Sequence, residues 1–145
     1  MRLAFLTRVQ RPFNGETVHK EPLGGTQSSM IYLGQELAAL GHDVHIFCHC
    51  GSLAGRFKGV TYHPVQALIH QSRQPWDVFV SVADEAALKL GIKAHKTIWW
   101  SHNDYAYLRQ DNSGLRQEIG HLLQTRADKI FAVSDWQSQE LATLF

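Results

Sequence analysis

The chain has 145 residues, 44% of them hydrophobic and 19% charged, with a formal net charge of +1. That length suits one ordinary domain, and the near-neutral balance removes any global electrostatic reason to expect nucleic acid or an anionic membrane as partner. No stretch approaches the roughly 20 apolar residues of a membrane span, and the apolar run of MRLAFLTRVQ is too short for a signal peptide.

RLAFLT (2–7) reads as a strand covered on both faces. A polar, Pro- and Gly-containing loop from Arg8 to Leu23 follows, and a loop that long in a compact domain is functional or mobile more often than not. GGTQSSMIYLGQELAALG then predicts a helix, with Met30, Leu33, Leu37 and Leu40 as one apolar stripe and Gly41 as its stop. DVHIFCH (43–49) predicts a second strand, placing Val44, Ile46 and Cys48 on one face and His45, Phe47 and His49 on the other. The turn CGSLAGRFKG leads to the strand VTYHPV, and residues 66–73 read as weakly helical. PWDVFVSV gives a strand, DEAALKLG a short helix stopped by Gly91, and KTIWWSH another strand. After the loop NDYAYLRQDNSG comes a helix with Leu115, Ile119, Leu122 and Leu123 on one face. KIFAVS makes the last strand, and SDWQSQELATLF the last helix, where Ser134 and Gln137 match a capping box.

Strands alternating with helices, most of them apolar throughout, predict an α/β fold: a Rossmann-like, doubly wound, mostly parallel sheet with helices on both faces, in a single domain over 1–145. Ligands of such sheets bind beyond the carboxyl ends of the strands. Gly24, Gly25 and Thr26 stand where the first strand crosses into its helix, and the first amides of a helix have no partner within it. The glycines are either a turn and a cap or a place where backbone meets an anion. His102, just past the strand end, is either a ligand-bonding, proton-moving imidazole or an ordinary loop histidine. Asn103 and Asp104 stand beside it, able to fix its tautomer. Arg8, Tyr105 and Ser134 join them by position as candidates for the strand-end cleft, and Trp99, Trp100, Tyr105 and Tyr107 either line a sugar-binding cleft or belong to core or rim.

HIFCHC has metal-ligating residue types, but strand alternation sends Cys48 and Cys50 one way and His45 and His49 the other, so no metal site is expected. The two cysteines are poorly arranged for a mutual disulfide, and two thiols without a disulfide framework suggest a reducing, cytoplasmic setting.

MRLAFLT, PLGGTQSSMIYLGQELAALGHDVHIFC with its LGHDV turn, DVFVSV, IWWSH and ADKIFAVSDWQSQEL, in this order, resemble the N-terminal, acceptor-side domain of retaining family-4 glycosyltransferases of the GT-B fold. The resemblance covers essentially the whole chain. It implies sugar transfer from a UDP- or GDP-linked donor to an acceptor with retention of anomeric configuration, and no bound metal. It maps the loop facing donor phosphate and sugar onto Gly24, Gly25 and Thr26, and the catalytic-cleft histidine onto His102. It gives acceptor choice to the loop 8–23 and the segment 103–113. The family's donor domain carries two glutamates eight positions apart, and none of Glu16, Glu21, Glu36, Glu85, Glu118 and Glu140 are so spaced. The expectation is thus an acceptor half that folds alone, transfers no sugar alone, and needs a donor domain in cis or in trans. Self-association through the exposed cleft face is a further expectation. The competing readings are a flavodoxin-like module that binds a phosphorylated ligand without chemistry, and a subunit that docks onto a separate donor-domain polypeptide.

Overall fold

A computed structural model of the chain describes residues 1–71 and 73–145. Seven strands form one sheet: β1 (Arg2–Leu6), β2 (Asp43–Cys48), β3 (Gly55–Phe57), β4 (Val60–Pro64), β5 (Trp76–Val82), β6 (Ala94–Trp100) and β7 (Lys129–Phe131). Their spatial order is β3-β4-β2-β1-β5-β6-β7, parallel throughout except for the β3–β4 pair. The chain winds outward from β1 through β2 to β4, then returns to the other side of β1 and continues through β5, β6 and β7. This is the doubly wound, Rossmann-like arrangement, and its strand order reverses between β1 and β5.

Helices cover both faces, as expected. On one face α2 (Gly25–Ala39) packs Met30 and Ile31 onto Leu3, Phe5, Val44, Ile46 and Val60. The other face is covered by α3 (Ala67–Gln71), the 3₁₀ turn Glu85–Leu90, α4 (Leu115–Arg126) and α5 (Asp135–Leu144). Three details depart from the sequence reading. The 8–23 loop contains a short helix, α1 (Thr17–Lys20), and is pinned rather than loose. Phe13 is buried, and Asn14 bonds the amides of Glu16 and Thr17 and the carbonyl of Leu53. The turn 50–59 holds the antiparallel edge strand β3, closed by Lys58 and Gly59, both at positive φ (45° and 82°), the geometry of a two-residue hairpin. Residues 66–73 are helical only over α3, and Ser72 of that stretch lies outside the described residues.

The apolar stripe of α2 needs a larger correction. Met30 is buried and Leu37 half-buried, but Leu33 is 38% and Leu40 75% exposed. The face that packs runs instead through Gln27, Met30, Ile31 and Gly34. Gly34 decides this: a Cβ there would lie 3.3 Å from Ile46 Cδ1 and 3.5 Å from Val60 Cγ2, so the helix descends onto β2 and β4 along its smallest residue. The helix ends as read, with Gly41 at φ 89° and paired bonds from Gly41 N to Ala38 O and from His42 N to Leu37 O. Among the described residues no helix is long and apolar enough to cross a membrane.

Candidate functional site

The strand-order reversal opens a crevice at the carboxyl ends of β1 and β5, about 390 Å³ in volume, lined by Arg8, Val9, Gln10, His49, Ala83 and Asp84. The Arg8 guanidinium spans it, donating through Nη2 to Asp84 Oδ1 (2.6 Å) and through Nε to Asp84 Oδ2. This fork-to-fork contact, reinforced by the charge of Asp84, raises the Arg8 pKa above its ordinary value. The Asp84 carboxylate is buried and also caps the 3₁₀ turn by accepting from Ala87 N (3.1 Å). It is held there by an unusual backbone. Ala83, between strand and turn, has φ 53°, a region that residues with a Cβ seldom occupy and that clusters at functional sites. Ala83 N donates to Trp100 O (2.9 Å), and the Ser81 hydroxyl donates to Asp84 O, tying the corner to β6.

The neighbouring strand ends carry polar atoms without partners. Thr7 Oγ1 after β1, and Ser101 Oγ and His102 Nε2 after β6, are buried and make no hydrogen bond among the described residues. Each such atom costs about 1–3 kcal/mol unless something outside the chain satisfies it. The His102 ring lies against Trp100, with centroids 4.5 Å apart, and burial lowers its pKa, favouring the neutral imidazole near pH 7.

The start of α2 lies on the same edge, because a helix joining the parallel neighbours β1 and β2 must run back against them. Gly24 is the N-cap residue, extended at φ −66° and ψ 159°, with no side chain to serve the first amides. A Cβ on Gly25 would meet nothing within 4 Å, so neither packing nor backbone strain explains a glycine there. Thr26 is half-buried in the same turn.

Several residues read as site residues have other employment. Asn103 and Asp104 do not orient His102. The Asn103 amide turns toward Tyr105 Oη (3.5 Å), and Asp104 Oδ1 accepts from Ala106 N (2.8 Å), closing the local turn. Tyr105 is 3% exposed, packs on Trp99 and donates to Glu85 Oε2 (3.1 Å), and burial raises its pKa. It and Trp99 belong to the core rather than to a cleft. Ser134 accepts from Gln137 N (3.1 Å) as the cap of α5, while Gln137 reaches back to Val133 N (2.9 Å) and to Asn103 O (2.9 Å). Sequence reading had no means to pair Arg8 with Asp84 across 76 positions or to see the Ala83 corner; its one usable signal was an aspartate opening a helical turn. It also assigned His49 to the back of a strand, whereas β2 ends at Cys48 and His49 lines the crevice.

Among the described residues no group of three or more His, Cys, Asp or Glu side chains is placed to hold a metal ion. Cys48 and Cys50 are free thiols, both buried, and burial raises the pKa of each. No protein-family model matches the chain, and no curated protein matches it significantly.

Proposed function

We propose that this domain is the acceptor-side half of a retaining glycosyltransferase of GT-B architecture, which uses a nucleotide-sugar donor. The observation that carries the reading is His102: a ring whose burial favours the neutral state, at a strand end, with Nε2 buried and unpartnered. A neutral imidazole both donates and accepts, which suits a sugar hydroxyl that must do the same. Gly25, open to approach at the first turn of α2, adds backbone amides of the kind that meet phosphate oxygens. Arg8 and the loop behind it would border the acceptor. The donor nucleotide would be held mainly by a second domain, in cis or in trans, so these 145 residues alone are expected to turn over no sugar.

The test is a titration of the isotope-labelled chain with UDP-glucose, GDP-mannose and flavin mononucleotide, followed by amide shifts. The expected result is a saturable shift at Gly24–Thr26 and at His102 with a nucleotide sugar, lost in Gly25→Val while circular dichroism still reports an intact helix. Tight flavin binding would replace this reading with the flavodoxin-like one, which the open approach to Gly25 equally favours. Unchanged shifts at both places with every ligand would overturn it.

A further inference from the structure

The face of the sheet that α2 covers is only half covered. Beside α2 runs an apolar groove of about 410 Å³ whose floor includes Leu3, Phe5, Val80, Ile98, Trp100 and Phe131, and whose wall is the Leu33–Leu37 flank of α2. The contrast across β6 is direct: Trp99, on the opposite face, is fully buried, while Trp100 and Ile98 on this face are only half-buried. At the edge, Phe131 of β7 is 49% exposed.

We infer that the groove is the docking site of an amphipathic α-helix from a partner polypeptide, lying alongside α2 and pointing the same way. Three observations converge on a helix. Strands β5, β6 and β7 span about 10 Å at the usual spacing, close to the diameter of one helix. The sequence places Leu33, Leu37 and Leu40 on a stripe of helical period, a pattern that belongs at a helix–helix seam, yet Leu33 and Leu40 remain exposed, at 38% and 75%. The bare strip, about 10 Å by 20 Å, covers on the order of 200 Å², far below the roughly 800 Å² per partner of a stable globular interface. It suits a single helix rather than a second copy of this chain.

Charge sets the direction. The groove's amino-end rim carries Lys96 and Lys129, which stand beside Val78 and Ile98 in the strand register and hence on the groove's face. Asp128 offsets them in part, bonding Lys96 Nζ (3.3 Å) and Thr97 N (2.8 Å). A helix parallel to α2 brings its negative C-terminal end to this rim, so carboxylates in its last turn are favoured. The docking does not depend on the transferase reading, since no residue of the crevice takes part in it.

The probes are two synthetic helical peptides of about four turns, each with a leucine stripe at i, i+3 and i+7. One carries glutamates in its last turn and the other lysines. Amide shifts of the labelled chain are followed at Val80, Ile98 and Phe131. The glutamate peptide is expected to saturate these shifts and the lysine peptide to bind several-fold more weakly. Leu33→Lys, at a position exposed enough to leave the fold intact, is expected to weaken the glutamate peptide about tenfold or more by leaving an unpaired charge in the seam. Equal binding of the two peptides, absence of a saturable shift, or indifference to Leu33→Lys overturns the proposal. So does a concentration-dependent dimer, seen by sedimentation, that Leu33→Lys dissolves, because a second copy then covers the groove.

Discussion

The two halves of the sheet, divided where the strand order reverses, are built from similar strands but finished differently. In the β4-β2-β1 half, Val44, Ile46, Phe47 and Val60 show no exposure at all, α2 presses down at Gly34, and the pinned loop inserts Phe13. In the β5-β6-β7 half one face is sealed by α4 and α5, while the other offers Ile98, Trp100 and Phe131 to solvent, and every residue of β7 is exposed. Apolar side chains are thus equally abundant in both halves, but burial follows the layer of helix above a strand rather than the strand's own composition. The polar chemistry does not divide along the same line. Arg8 and Asp84 satisfy each other across the reversal, whereas Thr7 beyond β1 and Ser101 and His102 beyond β6 keep buried atoms that have no partner among the described residues.

The strongest way to break this comparison uses two sides of one turn of α2. Ile31→Ala, in the sealed half, is expected to lower unfolding free energy by about 2–5 kcal/mol in urea titrations. Leu33→Ala, two residues on and facing the groove, is expected to cost less than about 1 kcal/mol. Equal losses would mean the groove is filled within the isolated chain. Next in size is Asp84→Ala, which removes both the cap on Ala87 and the partner of Arg8, for an expected loss of about 1–3 kcal/mol. An unchanged denaturation midpoint would show that the Ala83 corner holds without its carboxylate.

The pH dependence follows from histidines whose pKa lies below the ordinary 6.5, His102 through burial and His63 through burial and then the neighbouring His45. Below that ordinary value the unfolded chain binds more protons than the folded one. Stability is therefore expected to fall as pH drops from about 6.5 and to level off beneath the folded pKa values. His102→Gln should flatten part of the slope, read as the urea midpoint between neutral and mildly acidic pH; an identical slope in the variant would remove His102 from the account. The smallest effect is Gly25→Ala, expected to stabilise by up to about 1 kcal/mol because the residue is helical and its surroundings are empty. A variant that gains stability yet binds a nucleotide sugar more weakly would separate the ligand's claim on Gly25 from the fold's.

Much of this architecture was legible in advance, since it is written in short-range patterns. Apolar runs marked β1, β5 and the end of β6, the alternating faces of DVHIFC marked β2, glycines marked the ends of α2 and of the 85–90 turn, and the Ser134–Gln137 spacing marked the cap of α5. The candidate site was legible in position more than in detail. The strand-end rule pointed to His102 and Gly25, but Tyr105, Asn103, Asp104 and Ser134, also in strand-end loops, are occupied by core packing, turn closure or capping. Residue type and loop position do not distinguish a side chain that faces a cleft from one that has already found a partner.

Local sequence, then, determined most of the strands and helices, where α2 and the 85–90 turn stop, and that the elements wind as a doubly wound sheet, because backbone preferences and periodic burial act over a few residues. Only the tertiary structure decided that Arg8 meets Asp84, that Ala83 turns through positive φ, that Gly34 rather than Leu33 sets the seat of α2, and that half of one sheet face lies bare. Those outcomes depend on close contacts between residues far apart in the chain, and packing selects among faces that the periodic pattern alone leaves equivalent.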